Sequence, residues 1–295
     1  MKVHLLDGTY ELFRHHFGSA VRHEEPGPYV ATAGVLGTTL QLLQEGATHI
    51  GVASDHVIES FRNDLWPGYK TSEGMPPELL MQTPVVESAL EAMGVTTWRM
   101  VEYEADDALA AAATVAADDE RVDAVIICTP DKDLAQCVVG TRIVQLDRRK
   151  DLLMDADGVR AKFGVLPESI PDYLALVGDS ADGFPGLPGW GAKSAAAVLA
   201  TYVHLEAIPP AAGRWDVPGL RGAAKLSAIL QDQFADALLF RRLATLERDV
   251  EVGSVDDWRW EGPSEAFAEV VERIGAPHLL ARARRIAANR TAGTG

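Results

Sequence analysis

The chain has 295 residues, of which 47% are hydrophobic, and a formal net charge of −16 at pH 7. This length and apolar content allow a large buried core, and we expect one large domain and one smaller domain. The net charge argues against a protein that wraps nucleic acid by counterion release alone, because such proteins are usually basic. It does not exclude a nuclease whose site consists of carboxylates that bind divalent cations.

The sequence starts with MKVHLLDG and contains no secretory signal pattern and no long apolar run. We therefore expect a soluble cytoplasmic protein without a membrane span. Cys128 and Cys137 form no disulfide framework and do not have metal-ligand spacing, so we expect both to be reduced structural thiols.

The N-terminal part alternates between strand and helix patterns. The predicted strands are KVHLLD, THIGVASD, VTTWRM and VDAVIICTPDKD, and helical patterns such as AGVLGTTLQLLQEG and PELLMQTPVVESALEAMG separate them. This alternation predicts an α/β fold with a mostly parallel central sheet and helices on both faces. Ligands of such sheets bind beyond the carboxyl ends of the strands, where Asp7, Asp55 and Asp131 fall.

Three further carboxylates, Glu104, Asp106 and Asp107, stand at the start of an alanine-rich helix that follows a predicted strand. We expect them to face the same crevice as the aspartates at the strand ends. Oxygen ligands from several strands suit a hard cation such as Mg²⁺ or Mn²⁺. Each residue alone also fits an ordinary helix cap or strand end, but the whole set favours a metal site.

A different pattern begins near residue 155. The stretch LVGDSADGFPGLPGWGAKSAAAVLATY contains Asp179 and Asp182, followed by a Gly/Pro-rich turn between two helical patterns. Successive backbone N–H groups at such a turn can hold a phosphate, and Lys193 could add a charged contact. The stretch VPGLRGAAKLSAIL is a weaker example of the same arrangement. An ordinary connection between helices remains the alternative for both turns.

The stretches LLDGTYELFR, FRNDLWPGYK, EYEADDALA, CTPDKDLAQCV and LVGDSADGFPGLPGWGAKSA, in this order, resemble the 5′-nuclease family. This family includes the 5′-3′ exonuclease domain of bacterial DNA polymerase I and the flap endonucleases. The resemblance covers roughly residues 1 to 250, and we expect a stand-alone protein without a polymerase domain. It implies a PIN-like or resolvase-like nuclease core and a small all-α helix-hairpin-helix (H3TH) domain.

The resemblance also implies domain boundaries. Residues 1–158 would form the nuclease domain, with an arch region near residues 63–80. Residues 159–260 would form the helical DNA-binding domain, and residues 261–295 a C-terminal helix and tail.

The family binds two divalent cations through acidic residues, so the resemblance implies Mg²⁺ or Mn²⁺ as cofactors. The residues that match the ligands of the first cation are Asp7, Asp55, Glu104 and Asp106. Those that match the ligands of the second are Asp107, Asp131, Asp133, Asp179 and Asp182. Two such cations can activate a water and stabilise the leaving oxygen of a phosphodiester. Because this many carboxylates repel one another, we expect some of their pKa values to be raised.

Lys70 matches the family lysine that stabilises charge on the scissile phosphate. Arg62 fits a phosphate contact, although an ion pair with a local acid is the alternative. Phe13 and Arg14 match an aromatic and basic pair that contacts DNA, and Phe13 also fits a plain core position. One residue departs from the family pattern: Glu73, three residues after Lys70, stands where the family commonly has an arginine.

In the second domain, GLPGWGAK matches the family's helix-hairpin-helix element, which often holds a monovalent cation such as K⁺. Gly186, Gly189, Gly191 and Lys193 are therefore the predicted duplex contacts. Arg221 and Lys225 extend this strip or are ordinary surface residues.

These observations favour a metal-dependent 5′-3′ exonuclease or 5′ flap endonuclease that acts on DNA at nicks, gaps or flaps, in primer removal and repair. The first alternative is a weakly active or inactive protein that binds branched DNA, and an RNA-directed nuclease is the second. A DNA polymerase or a sliding clamp is the expected protein partner, and we expect a monomer.

Overall fold

The computed structural model describes residues 1–22 and 27–293, which divide into two compact units. Unit 1 consists of Met1–Ile58, Ser72–Thr129 and Arg248–Gly295, and unit 2 consists of Glu59–Thr71 and Pro130–Glu247. Each unit therefore combines stretches that are far apart in the sequence. The contiguous domain boundaries at residues 158 and 260 stay a prediction.

The helices are, in chain order, α1 Gly8–Arg22, α2 Val30–Gln44, α3 Arg62–Leu65, α4 Pro77–Leu80, α5 Thr83–Ala92, α6 Ala105–Asp118, α7 Ala156–Phe163, α8 Ile170–Val177, α9 Ala192–Tyr202, α10 Ala223–Asp232, α11 Phe234–Ala244, α12 Phe267–Arg273 and α13 His278–Gly293. The strands are β1 Lys2–Asp7, β2 His49–Asp55, β3 Thr96–Met100, β4 Ala124–Cys128, β5 Ile143–Asp147 and β6 Leu152–Met154.

Unit 1 is built on four parallel strands in the order β3-β2-β1-β4. In the central strand, Leu5 pairs with Gly51 on one side and with Ile127 on the other. The side chains of Val3, Leu5 and Leu6 are fully buried, as expected of a parallel strand covered on both faces. The sequence predicted all four of these strands, and the structure confirms them.

The direction of the chain crossovers explains why helices cover both faces of this sheet. The chain moves outward from β1 to β2 to β3 and then crosses back to β4 on the other side of β1. Because crossovers between parallel strands are right-handed, α6, which connects β3 to β4, lies on the face opposite the earlier connections. This reversal makes the carboxyl end of β1 the switch point where ligands of open α/β sheets bind.

The single helix predicted for PELLMQTPVVESALEAMG is wrong, because the structure forms two helices, α4 and α5, with a break at Met81 and Gln82. Pro84 stands in the first turn of α5. Proline has no N–H to donate to the preceding turn, and it disfavours helical geometry in the residue before it. One continuous helix through this point would therefore lose a hydrogen bond and clash.

Unit 2 is mainly helical, with one antiparallel hairpin formed by β5 and β6. Helix α8 packs against both α9 and α11. The core includes Phe184 and Phe240, whose rings stack with centroids 5.9 Å apart. Trp66, from the first stretch of this unit, packs edge-on against Phe240 at 5.3 Å. The short segment Glu59–Thr71 is therefore part of this core.

Candidate metal centre and nucleic-acid interface

Asp7 ends β1 and is almost fully buried. Its Oδ1 accepts a hydrogen bond from the backbone N–H of Tyr10 at 2.8 Å, within the first turn of α1. Its Oδ2 accepts a hydrogen bond from the hydroxyl of Thr129 at 2.8 Å. The carboxylate is thus fixed in one orientation at the switch point of the unit 1 sheet.

Asp55 ends β2, and its surroundings fix both its backbone and its carboxylate. Its backbone N–H donates to the hydroxyl of Thr9 at 2.8 Å, and its Oδ1 accepts from the N–H of Ala105 at 2.7 Å. The residues on either side of it are held by a fully buried carboxylate from α5, Glu87. Ser54 Oγ donates to Glu87 Oε1 at 2.7 Å, and His56 Nδ1 lies 2.8 Å from Glu87 Oε2.

The acidic start of α6 serves the helix directly. The backbone N–H of Glu104 donates to Asp107 Oδ2 at 2.9 Å, so the Asp107 side chain closes the first turn of the helix. Glu104 and Asp107 are buried, whereas Asp106 is partly exposed. The helix-cap alternative therefore accounts for Asp107.

Unit 2 contains a compact cluster of three carboxylates. One oxygen each from Asp133, Asp179 and Asp182 lies within 4.8 Å of the others. Asp133 begins a 3₁₀ helix, Asp133–Cys137, and its N–H donates to Asp131 Oδ1 at 2.9 Å. Across the described parts of the chain, the carboxylates of unit 1 do not gather as tightly as these three.

Burial and neighbouring charges both act on the carboxyl group of Asp133. Burial raises the pKa of its carboxyl group well above the usual value, and the neighbouring carboxylates, Asp131 first, raise it further. Its Oδ1 is buried and has no hydrogen-bond partner among the residues that the structure describes. A buried, unpartnered carboxylate oxygen beside other carboxylates is the donor set that a hard divalent cation requires. These residues therefore fit a divalent cation.

Two lysines contact the other members of the cluster. Lys132 Nζ lies 2.5 Å from Asp179 Oδ2, and Lys70 Nζ lies 3.2 Å from Asp182 Oδ1. Burial alone would lower the pKa of Lys132, but the hydrogen bond and charge of Asp179 outweigh it and raise that pKa. The ammonium group of Lys132 therefore stays charged.

The backbone places Lys70 on Asp182. The N–H of Lys70 donates to the carbonyl of Asp182 at 3.1 Å, and Trp66 Nε1 donates to the carbonyl of Gly183 at 3.0 Å. Gly183 has a φ of +82°, and a Cβ there would lie 2.0 Å from the carbonyl oxygen of Gly68. Only glycine allows this close approach of the two backbones.

Arg62 does not have the surroundings of a phosphate contact. It is 1% exposed, its Nε donates to the carbonyl of Leu243 at 2.8 Å, and its Nη2 donates to the carbonyl of Thr245 at 3.1 Å. These carbonyls lie at the C-terminal end of α11, where helix carbonyls have no partners within the helix. The geometry argues against the predicted phosphate contact and assigns Arg62 to stabilising this helix end.

Arg14 is engaged within unit 1. Its guanidinium contacts the buried carboxylate of Glu11 and donates to Thr38 Oγ1 at 3.1 Å. Burial alone would raise the pKa of Glu11, but hydrogen bonds with His15 and Arg14 outweigh it and hold that pKa below its usual value. Phe13 is partly buried. A DNA contact by either residue of the predicted pair stays a prediction.

The two glycine-rich turns of unit 2 line one cleft of about 600 Å³. Gly189, Gly191 and Lys193 contribute from the first turn, and Arg221 contributes from the second. Gly191 caps α9 and Gly222 caps α10, so the cleft lies beside the N-terminal ends of two helices. Within the described ranges, neither Lys193 nor Arg221 forms an ion pair, so both remain available to an anion.

Two of the predicted duplex contacts lie apart from this cleft. Gly186 is buried, and a Cβ there would lie 2.3 Å from the backbone nitrogen of Gly178, so this glycine serves backbone packing rather than a surface contact. Lys225 is exposed on the first turn of α10 but does not line the cleft.

The predicted arch contains two short helices, α3 and α4, separated by irregular chain. Glu73 is exposed in a turn that is closed by a hydrogen bond from Met75 N–H to the Ser72 carbonyl at 3.1 Å.

The chain matches two family descriptions along most of its length. Residues 2–164 match the 5′-3′ exonuclease, N-terminal resolvase-like domain, and residues 165–266 match the 5′-3′ exonuclease, C-terminal SAM fold. The chain belongs to the 5′-3′ exonuclease family. The predicted family, the nuclease core and the helical C-terminal domain are thus confirmed.

Among curated proteins, this exonuclease-family chain is similar to DNA polymerases I. The polymerase of Pseudomonas aeruginosa is 34% identical over 275 residues, which cover 90% of this chain and 29% of the polymerase. The polymerase of Bacillus caldotenax is 31% identical over 291 residues, which cover 95% of this chain and 32% of the polymerase. The chain therefore spans about a third of the length of these relatives.

Solved structures share the fold of this family member at low sequence identity. T5 5′-exonuclease with bound divalent zinc ions has a TM-score of 0.66 at 17% identity, covering 97% of this chain and 98% of that chain. The catalytic core of Rad2 in complex with DNA substrate has a TM-score of 0.63 at 18% identity, with coverages of 97% and 91%. Flap endonuclease-1 from Methanococcus jannaschii has a TM-score of 0.60 at 15% identity, with coverages of 98% and 93%.

In this exonuclease-family chain, two further residues, Lys132 and Glu87, lie beside predicted ligands or their neighbours. Lys132 stands between two aspartates, and this alternation of charge is a signal in the sequence itself. Glu87 gives no such signal, because one acidic residue in an amphipathic helix usually indicates a solvent-facing position.

Within the described ranges, no helix is both long and apolar enough to span a bilayer.

Proposed function

We propose that the chain is a divalent-cation-dependent 5′-3′ exonuclease or 5′ flap endonuclease that hydrolyses DNA at nicked, gapped or flapped 5′ ends. The observation that carries this proposal is the cluster of Asp133, Asp179 and Asp182, in which Asp133 has a raised pKa and an unpartnered oxygen. A protein that only bound DNA would gain nothing from buried carboxylates beside a phosphate backbone. Membership of the 5′-3′ exonuclease family supports the same reaction class.

The proposed cofactors are two divalent cations, Mg²⁺ or Mn²⁺. In unit 2 the ligands would be Asp131, Asp133, Asp179 and Asp182, directly or through waters, and Asp131 Oδ1 also accepts a hydrogen bond from the backbone N–H of Asp133. In unit 1 the proposed ligands are Asp7, Asp55, Glu104, Asp106 and Asp107. Bound divalent cations would lower the pKa of a coordinated water and stabilise the leaving oxygen of the phosphodiester.

Lys70 has the right chemistry to stabilise negative charge on the scissile phosphate. Its backbone and side chain are both fixed on Asp182, so the ammonium group is held beside a proposed cation ligand. Tyr69, whose ring lies 5.6 Å from the Lys70 nitrogen, is buried and limits the positions that this side chain can take.

The cleft between the two glycine-rich turns is the proposed duplex contact. It offers backbone N–H groups at the start of α9 together with the charges of Lys193 and Arg221. The distribution of charge supports this assignment. Unit 2 contains 15 Lys and Arg against 17 Asp and Glu, whereas unit 1 contains 12 against 26. A phosphate backbone is therefore repelled less by unit 2 than by unit 1.

A K⁺ ion bound at the first glycine-rich turn is also part of the proposal.

The test is cleavage of a 5′-labelled flap duplex with Mg²⁺ or Mn²⁺ by the wild type, Asp133→Asn and Asp155→Asn. Asp155 lies in the same unit and caps α7 by accepting from the N–H of Gly158 at 2.9 Å. Asparagine caps helices as well as aspartate, so Asp155→Asn removes one carboxylate while keeping the structure. We expect the wild type and Asp155→Asn to release labelled product and Asp133→Asn to release none.

Glu73 gives a specific reason to keep a second function. Its exposed carboxylate stands where the family commonly has an arginine, and it would repel a phosphate. If the wild type binds the flap but leaves it intact with both cations, the chain is a branched-DNA binding protein. If it cleaves the flap slowly and Glu73→Arg cleaves it faster, the nuclease proposal holds and Glu73 limits the rate.

The cellular setting belongs to the same proposal. The similarity to the nuclease part of DNA polymerases I supports roles in primer removal and DNA repair. Recruitment by a polymerase or a sliding clamp, a monomeric state and a cytoplasmic location remain predictions from the sequence.

A further inference from the structure

Both oxygens of the Asp179 carboxylate are already engaged within unit 2. Oδ1 accepts a hydrogen bond from the N–H of Ala181 at 3.0 Å. Oδ2 lies 2.5 Å from Lys132 Nζ. Asp179 is 3% exposed at its side chain, so water does not screen this pair strongly. A divalent cation that binds Asp179 must therefore share Oδ2 with an ammonium group or displace it.

Sharing one oxygen would bring the lysine's positive charge against a divalent cation at short range. In a poorly solvated site this repulsion is large, because little water lies between the charges. Displacement is open to Lys132 because its side chain is 33% exposed, and its four-carbon stem can carry the ammonium group into water. Moving the Lys132 ammonium group into water therefore costs less free energy than sharing Asp179 Oδ2 with the cation.

We propose that Lys132 is a built-in competitor of the divalent cation, and that its ion pair with Asp179 sets how tightly the unit 2 cluster binds that cation. This inference rests on the proposed function, because it takes Asp133, Asp179 and Asp182 as cation ligands. Lys132 acts through Asp179 and is a positioning residue. It keeps the Asp179 carboxylate neutralised and ordered while the cation exchanges.

The test is a titration of the full-length protein with Mn²⁺ alone, followed by calorimetry, at fixed pH and without DNA. Asp133→Asn identifies the part of the binding that belongs to this cluster. Lys132→Met removes the charge but keeps the length of the side chain. Lys132→Arg keeps the charge. We expect Lys132→Met to lower the dissociation constant of the cluster at least fivefold, and Lys132→Arg to stay within twofold of the wild type.

Lys150→Met is the matched control for the loss of one positive charge. Lys150 lies in the same unit and is 66% exposed, and it pairs with Asp147 at 3.4 Å rather than with the cluster. We expect it to change the dissociation constant less than twofold. In the cleavage assay, Lys132→Met should lower the Mg²⁺ concentration needed for half-maximal rate, which a merely structural role would not do. Melting temperatures in EDTA show that each variant is folded, and Lys132→Gln replaces Lys132→Met if the latter is not.

The possible failures are distinguishable. If Asp133→Asn binds Mn²⁺ as the wild type does, the cluster is not a cation site, and both the proposed cation ligands and the role of Lys132 fall. If Asp133→Asn loses this binding while Lys132→Met binds with unchanged or weaker affinity, only the Lys132 proposal is overturned. In that case the lysine organises the cluster for the cation instead of competing with it.

Discussion

Replacing Asp133 with asparagine should change the stability of the protein in opposite directions with and without divalent cations. In EDTA the wild type buries this carboxyl group next to other carboxylates, which raises its pKa, so folding at neutral pH must either hold the charge there or take up a proton. Asparagine has the same shape and no charge. Relief of an unfavourable buried charge contributes on the order of 1–3 kcal/mol. At about 2 °C per kcal/mol for a chain of this size, the melting temperature should rise by about 2–6 °C.

With divalent cations the order should reverse. A ligand that binds only the folded state at about 1,000 times its dissociation constant adds about 4.1 kcal/mol of stability, which exceeds the advantage of the asparagine variant in EDTA. The wild type should gain this stabilisation in Mg²⁺ or Mn²⁺, and Asp133→Asn should gain much less. The assay is thermal unfolding of both proteins in EDTA and in each cation, with Asp155→Asn as the control variant.

The pH dependence gives an independent check. A carboxyl group whose pKa is raised in the folded state stabilises the fold below its unfolded pKa, about 3.9 for aspartate. That contribution is lost as the pH rises through the higher folded pKa. In EDTA, the advantage of Asp133→Asn should therefore be absent in acid and should grow as the pH approaches neutrality. Equal melting temperatures in EDTA at neutral pH, or a less stable asparagine variant, would refute the reasoning.

Three further outcomes follow from the same structure. Arg62→Ala should lower the free energy of unfolding, measured in urea, by about 3 kcal/mol, because two helix-end carbonyls lose a charged donor. If the stability is unchanged and flap binding is weaker, Arg62 contacts phosphate as the sequence predicts. Lys193→Ala should leave the melting temperature unchanged. It should reduce the magnitude of the slope of log K for duplex binding against log salt concentration by about 0.9. An unchanged slope would exclude a phosphate contact by Lys193. Glu87→Gln should raise the Mg²⁺ concentration needed for half-maximal cleavage, because Glu87 holds Ser54 and His56 on either side of Asp55. The control Glu91→Gln, one turn along α5, should not raise it. Equal effects of the two variants would reject a positioning role for Glu87.

The sequence determined the local features of the site well. Strand ends are visible because an apolar run stops at a carboxylate, as at Asp7 and Asp55. The start of α6 is visible because acidic residues precede an alanine-rich run. The glycine-rich turns before α9 and α10 are visible because positive φ angles and helix caps require small residues. Each of these signals depends on neighbouring residues alone.

Contacts between distant residues were decided only by the tertiary structure. Asp133 and Asp179 are 46 positions apart in the sequence, and packing within unit 2 brings their oxygens together. The same packing buries Arg62 against the end of α11, although its motif predicts a phosphate contact or an ion pair with a local acid. It also places Lys132 on Asp179. A sequence pattern reports which side chains can bind a cation or a phosphate, but burial and non-local packing decide which of them are already engaged with one another.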